Sequence, residues 1–353
     1  MALSKILTSS VADTVLQTNK NLIINGDFQC WQRATAATAA NGGYATVDRF
    51  GMGEGTDGAY TTERSSDTPI GTGYSLKAQV TTADTSIAAA QYAYMYQEIE
   101  AQNLQPLQYG TSSAKTLTLS FWVKSNKTGT YTINIQKRDA TIYFIPIEYT
   151  ISSANTWEKK TITITPTAGG TSFITASAGA IANDNGQGIQ LGFGLAWGSN
   201  YHGTSNTWSA NTHYGTSNQV NWMDSTSNNF YLAQVQLEIG DVATPFEHED
   251  FGTTLAKCQR YFQTILNATP LYNYRQTGNS AAETFTYINE MRATPSFTLT
   301  RNSTIFGTVN TGAGTDGLGI YGASTTATAL FVYQSSTDAS AAVTATVIGD
   351  AEL

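Results

Sequence analysis

The sequence predicts a mainly β chain built from two stacked antiparallel sheets, and two observations predict it. The first is composition. Charged residues make up 12% of the 353 residues, about half the ~25% of an ordinary soluble domain. Yet 41% of the chain is hydrophobic and 11% aromatic, so it is not a disordered chain of the highly charged kind. The polarity comes from Thr, Ser, Asn, Gln and Gly, a mixture that favours strands and turns. The second observation is alternation with period two, which recurs from Asn21 onward and buries one face of each segment. Many short strands of this kind make a β-sandwich or jelly roll.

The elements follow in chain order. Within residues 1–20, Leu3, Leu7, Val11 and Val15 recur at every fourth position. They place one apolar stripe on a short helix. A helix this short is marginal alone, so this segment is expected to pack on its own domain, to anchor the chain or to associate its copies. Residues 21–250 are expected to form the jelly roll. In it, Leu76, Ala78 and Val80 alternate, as do Leu117, Leu119, Phe121 and Val123, and then Tyr131, Ile133 and Ile135. The turn from Asn126 to Gly129 joins the last two runs, so the pair reads as a hairpin. Ile162 with Ile164, the run Ile189, Leu191, Phe193, Leu195 and Trp197, and the run Tyr231, Ala233, Val235 and Leu237 supply further strands, each run on one face. A linking helix is expected within 251–269, on the spacing of Leu255, Cys258, Phe262 and Ile265. Glu247, Glu249 and Asp250 would lead into it as a charged linker and N-terminal cap. Residues 270–353 return to β texture with few large apolar groups. They form a small distal domain that is expected to be completed by the large one or by other copies.

Charge and motif content exclude several classes of function. Asp and Glu number 26 against 18 Lys and Arg, which argues against a nucleic-acid binder that displaces counterions from phosphates. No run reaches the ~18 apolar residues of a membrane span, and the first residues lack the apolar core of a secretory leader. No Gly-x-Ser-x-Gly elbow or phosphate-cradling loop is present, and Gly51-Met52-Gly53-Glu54-Gly55 does not open an apolar helix. Cys30 and Cys258 read as small buried hydrophobes. His202, His213 and His248 have no metal-ligand spacing. Asp48, Glu98, Asp184 and Asp224 are candidate carboxylates for glycan hydrolysis, but nothing selects a pair from them. No enzyme activity and no cofactor are expected.

The aromatic inventory points elsewhere. With 19 Tyr, 14 Phe and 6 Trp, the chain is rich in amphipathic rings that cover C–H surfaces at low entropy cost. A long polar segment, 198–229, repeats Gly203-Thr204-Ser205-Asn206 as Gly215-Thr216-Ser217-Asn218. Long ordered loops of this kind often carry function. Tyr201, His202, Trp208, His213, Tyr214 and Trp222 are therefore the candidate glycan-binding residues. The competing structural reading has Trp197 ending a core strand, with Trp208 and Trp222 pinning the loop.

Two stretches carry a resemblance. The first runs from Asn21 to Arg33 (NLIINGDFQCWQR) and on to Thr46-Val47-Asp48-Arg49-Phe50. The second comprises Phe230 to Gly240 (FYLAQVQLEIG), then Ala243-Thr244-Pro245-Phe246-Glu247, then Cys258-Gln259-Arg260-Tyr261-Phe262. In order and spacing the chain resembles tail fibre proteins of tailed bacteriophages of the marine and cyanobacterial type, over about residues 21–265. Its large domain is also similar to jelly-roll carbohydrate-binding modules. The resemblance implies a virion structural protein, assembled in the host cytoplasm as a homotrimer with other tail or baseplate proteins, that adheres to host surface polysaccharide. No membrane insertion is implied. A non-adhesive adaptor or decoration protein, and a glycan-degrading enzyme, are the rivals. Some jelly rolls hold a structural calcium, for which Asp27, Asp48 and Asp224 are the candidates. The resemblance transfers no sugar site: Phe28, Trp31 and Phe121 read as core, and Pro245-Phe246 as a strand exit.

Overall fold

The computed structural model describes residues 19–39, 42–274, 281–306, 318–321, 329–334 and 340–353. Leu3, Leu7, Val11 and Val15 lie outside the described residues. The chain divides into two compact units, Met1–Asp250 with Leu353, and Phe251–Glu352.

The first unit is an antiparallel β-sandwich of the jelly-roll kind. One sheet has six strands in the order β1 (Ala36–Thr38), β3 (Ala59–Ser65), β4 (Ser75–Thr82), β11 (Asn229–Ile239), β6 (Leu117–Ser125) and β9 (Glu158–Ile164). The other has five: β2 (Gly51–Glu54), β5 (Tyr92–Glu100), β10 (Gln187–Trp197), β7 (Gly129–Lys137) and β8 (Tyr143–Ile151). The alternating residues meet between the sheets. Leu119, Phe121, Leu232 and Leu237 from one sheet, and Met95, Ile133, Ile145 and Phe193 from the other, belong to one buried cluster. Phe121 meets Phe193 edge to face at 5.2 Å, a geometry that suits the ring quadrupoles.

Three expectations need correction, and each has a local cause. β6 and β7 do not form a hairpin. β6 pairs with β11 and β9, and β7 with β10 and β8, so the turn at 126–128 carries the chain from one sheet to the other. Both strands have a fully apolar face, and facing each other across the core buries both, which a hairpin in one sheet would not require. Tyr231 does not share a face with Val235: β11 carries a register shift between Ala233 and Gln236, and Gln234 adopts φ 48°. One extra residue inverts the parity of everything before it, so Phe230 and Leu232 are buried while Tyr231 faces outward against Lys124 at 4.3 Å. A second shift in β10, between Gly194 and Ala196, turns Trp197 away from the core side on which Leu195 lies.

The two stretches that carry the resemblance meet and clasp the sandwich. Asn21 Nδ2 donates to the Val235 carbonyl at 3.1 Å while its Oδ1 accepts from the Leu237 N–H at 3.1 Å. The Leu22 N–H donates to the Leu237 carbonyl at 2.8 Å, and the Val235 N–H to the Gly26 carbonyl at 2.8 Å. The Glu247 carboxylate accepts from the N–H groups of Asn19 and Asn21 at 3.0 and 2.9 Å. It is a clasp on the N-terminal segment, where the sequence suggested a helix cap. Phe28 is fully buried and Trp31 half-buried against the core.

The second unit opens with α1 (Phe251–Gln259), shorter than the expected helix. Tyr261 turns the chain by donating its N–H to the Cys258 carbonyl at 2.9 Å. Phe262 then begins β12 (Phe262–Tyr274), which pairs with β17 (Ser340–Asp350) from Phe262 opposite Asp350. Phe262, Ile265 and Leu266 thus serve a strand, the ladder overriding the helical spacing. β14 (Ser296–Phe306) completes that sheet, and β13 (Ala281–Thr286), β16 (Ala329–Gln334) and β15 (Leu318–Tyr321) form another. Leu266, Leu271, Tyr287, Met291, Ala345 and Val347 make a small core of their own. Both cysteines are buried and neither forms a disulfide. Among the described residues, no helix is long and apolar enough to cross a membrane.

Candidate functional site: an aromatic ladder on the five-stranded sheet

The outward face of the five-stranded sheet is built by two opposed alternations. In β5, Ala93, Met95 and Ile99 point into the core, so Tyr92, Tyr94 and Tyr96 project outward. In the neighbouring edge strand, glycine stands where an outward side chain would be. A Cβ on Gly51 would lie 2.3 Å from the Tyr96 ring, and one on Gly53 2.0 Å from the Tyr94 ring. The rings are therefore bedded over bare backbone. This is the role of the glycines in Gly51-Met52-Gly53-Glu54-Gly55.

The bedded rings form a continuous ladder. Tyr92 and Tyr94 are 5.9 Å apart, and Tyr94 and Tyr96 5.3 Å. Tyr44 meets Tyr96 edge-on at 5.8 Å. On the other flank, Trp197 lies 5.0 Å from Tyr94 and stacks on Tyr214 at 5.0 Å with 16° between planes. Tyr201 closes the group, 5.4 Å from Tyr214 and 5.9 Å from Tyr92. Tyr92, Tyr94, Tyr201 and Tyr214 remain half-buried, each with part of its ring open. Burial pushes the Tyr94, Tyr201 and Tyr214 hydroxyls above the ordinary phenol range. All three are neutral donors and acceptors at physiological pH.

A polar row crosses the same face. Gln190 Nε2 donates to Glu98 Oε1 at 2.8 Å, and Gln136 donates to Gln190. Arg138 ends the row, giving Gln136 Oε1 one bond at 2.9 Å and Gln187 Oε1 two at 2.8 and 3.1 Å. Glu98, Gln190 and Gln136 are buried, whereas Arg138 and Gln187 are half-exposed. The guanidinium of Arg138 is close enough to Tyr214 to counter part of the upward push of burial on its hydroxyl.

The six sequence candidates separate in space. Tyr201 and Tyr214 belong to the ladder. His202 lies behind it, with Nε2 3.0 Å from the Trp197 carbonyl oxygen. Trp208 is 1% exposed and donates its indole N–H to the Thr165 carbonyl at 2.9 Å. Trp222 is 0% exposed, meets Tyr60 edge to face at 5.8 Å and donates to the Asn229 carbonyl at 3.1 Å. Both tryptophans pin the loop to the core and offer no ring to a ligand. The polar loop was too short of other apolar groups to anchor itself without them. His213 is half-buried in a separate cleft of about 300 Å³ with Phe173 and Thr207, where burial lowers its pKa.

The calcium candidates also separate by use. Asp48 is fully buried and accepts from the Gln32 N–H at 2.9 Å and from Arg33 at 3.1 Å. Asp224 pairs with Lys127 and accepts from Asn228 at 2.8 Å. Asp27 lines a cleft of about 250 Å³ with His248 and Tyr74, and burial raises its pKa. Each carboxylate serves its own local network, so the three do not form a common donor set. Asp184, the remaining carboxylate candidate, accepts from the Gly186 N–H at 2.8 Å and closes a turn.

Sequence reasoning missed Tyr44, Tyr92, Tyr94 and Tyr96. The signal was available: tyrosines at every second position of Tyr92-Ala93-Tyr94-Met95-Tyr96, and glycines at every second position of 51–55.

No family model matches the chain, and no curated protein matches it. Solved structures give weak likenesses. One is the enzymatically active domain of tailspike protein 4 of bacteriophage CBA120, at 13% identity over 62% of this chain and 21% of that one, TM-score 0.30. A second is the family 11 carbohydrate-binding module of Clostridium thermocellum in complex with a mixed-linked tetrasaccharide, at 14% identity over 59% of this chain and 98% of that one, TM-score 0.29. A third is the tandem CBM22 domain of Paenibacillus barcinonensis Xyn10C, at 17% identity over 55% and 46%, TM-score 0.31. The chain spans about a fifth of the tailspike domain it matches. At this level the likeness concerns the β fold alone.

Proposed function

We propose that the chain binds glycans through the tyrosine ladder, as the adhesive part of a homotrimeric phage tail fibre. The observation that carries the reading is the set of half-buried rings bedded over glycines beside a hydrogen-bonding polar row. Apolar ring faces cover the C–H surfaces of a sugar. The Tyr92, Tyr94 and Tyr201 hydroxyls would meet its hydroxyls. The mechanism is adhesion without covalent chemistry, and three copies on one fibre raise avidity through effective concentration. The tail-fibre part of the reading rests on the motifs at 21–50 and 230–262. A second reading, a rigid adaptor or decoration protein, is favoured by the burial of Trp208 and Trp222 inside the domain.

The test is binding of the labelled full chain to candidate host cells, with purified surface polysaccharide as competitor. Tyr94→Ala and Tyr201→Ala are expected to weaken binding about tenfold each, a step of ~1.4 kcal/mol, with the sandwich still folded at the assay temperature. No binding to any susceptible host by the assembled oligomer would favour the adaptor.

A further inference from the structure

Beside the ladder, the loop at 198–221 roofs the outward face of β7 and β8. The two repeats lie side by side: the Gly203 N–H donates to the Gly215 carbonyl at 2.9 Å. Both repeats then grip one residue of β8. Ser205 Oγ accepts from the Glu148 N–H at 3.2 Å, while Thr216 and Asn218 donate to Glu148 Oε1 at 2.6 and 3.0 Å. Backbone bonds extend the grip, from the Asn206 N–H to the Pro146 carbonyl at 2.8 Å and from the Val220 N–H to the Thr130 carbonyl at 2.9 Å. As a result Thr132 and Asn134, which face outward from β7, are 0% exposed. The open rings lie over β5 and β2, two strands or ~10 Å across at the usual spacing.

The opening is bounded on three sides. Trp197 and Tyr214 stand as a wall where the roof begins. Tyr201, whose hydroxyl donates to the Ala90 carbonyl at 3.2 Å, closes the Tyr92 end. Tyr44 covers the Tyr96 end, with the Arg33 guanidinium 5.7 Å from its ring. A polysaccharide crossing the whole face would have to pass through the roof.

We infer that this site takes the terminal one or two residues of a glycan chain and not an internal stretch of a polymer. The inference rests on the glycan-binding reading and adds the class of ligand. A pyranose ring is about as wide as one strand spacing, ~4.8 Å, so two rings fill the open width. Further residues would extend into solvent and add no contact.

The experiment uses the full chain and an array of defined oligosaccharides attached through the reducing end. The best binder is then titrated as its disaccharide, tetrasaccharide and hexasaccharide. The wild type is expected to bind all three lengths within about twofold. Partial hydrolysis of the matching polymer at constant mass is expected to make it a better competitor, in proportion to the ends created. A tenfold or greater gain from disaccharide to hexasaccharide, with binding still weakened about tenfold in Tyr94→Ala, would overturn the end-binding inference and leave the glycan site standing. Absence of binding to every sugar on the array would overturn both.

Discussion

Trp208 and Tyr94 show what a sequence reveals about a single residue and what it hides. Both are aromatic, yet one is core and the other is half-open. The difference is made by partners far along the chain: the Thr165 carbonyl for Trp208, and Gly53 for Tyr94. Trp208→Ala is therefore expected to cost ~3–5 kcal/mol of stability by emptying a packed site. Urea denaturation checks this, and an unchanged midpoint would contradict it. Lys137 carries a pH signature. Its side chain is fully buried, and its ammonium donates to the carbonyls of Asp139, Thr141 and Ala178, the last two at 3.1 and 3.2 Å. Burial pulls its pKa down to about 8, with the Asp139 carboxylate opposing the shift. An unfolded lysine titrates near ~10.4. Between those values the unfolded chain holds more protons, so stability rises with pH. The penalty is full below pH 8 and is relieved above it. Buried tyrosines such as Tyr60, pushed up by burial, act in the opposite sense only above pH 10. The wild-type urea midpoint is expected to rise from pH 7.5 to pH 9.5, and Lys137→Met to flatten that rise.

At the scale of elements, alternation located β4, β6, β7, β9, β10 and β11 correctly and left their partners open. Period two records that a strand has a buried face, but not which sheet supplies the other half of the core. That is why β6 and β7 read as a hairpin and stand in different sheets. Bulges are invisible for a related reason. One extra residue at Gln234, or between Gly194 and Ala196, leaves the apolar count unchanged while inverting the face, and it moves Tyr231 and Trp197 outward. The repeat in 203–218 was visible, but its use was not. Both copies converge on Glu148, which alternation gives no reason to notice. Glu148→Ala removes the acceptor of Thr216 and Asn218 and is expected to loosen the roof while the sheets stay folded. Faster amide hydrogen exchange confined to about 200–220 would show this. Exchange unchanged there would mean that the backbone bonds to Pro146 and Thr130 hold the loop without the carboxylate.

For the whole molecule, the large domain was legible as a block because its two ends carry the most recognisable motifs, and those ends are bonded to each other. Asn21, Gly26, Val235, Leu237 and Glu247 form one clasp, so the motifs mark where the sandwich closes. The first compact unit comprises Met1–Asp250 with Leu353. Among the described residues, the core of that unit is drawn from Leu22 to Ile239, and the second unit has a separate core. A fragment of residues 19–250 is therefore expected to fold cooperatively, with the ladder intact and glycan affinity per site equal to that of the full chain. Shortening it to 26–240 removes the Asn21 bonds to Val235 and Leu237 and the Glu247 bonds to Asn19 and Asn21. At ~1 kcal/mol for each hydrogen bond lost, and with the buried Ile23 removed from the core as well, that cut is expected to lower the melting temperature by several degrees. Thermal unfolding of the two fragments decides it. Equal midpoints would show that the sheets hold without the clasp, and the motif residues would then need another reason to stand at both ends of the domain.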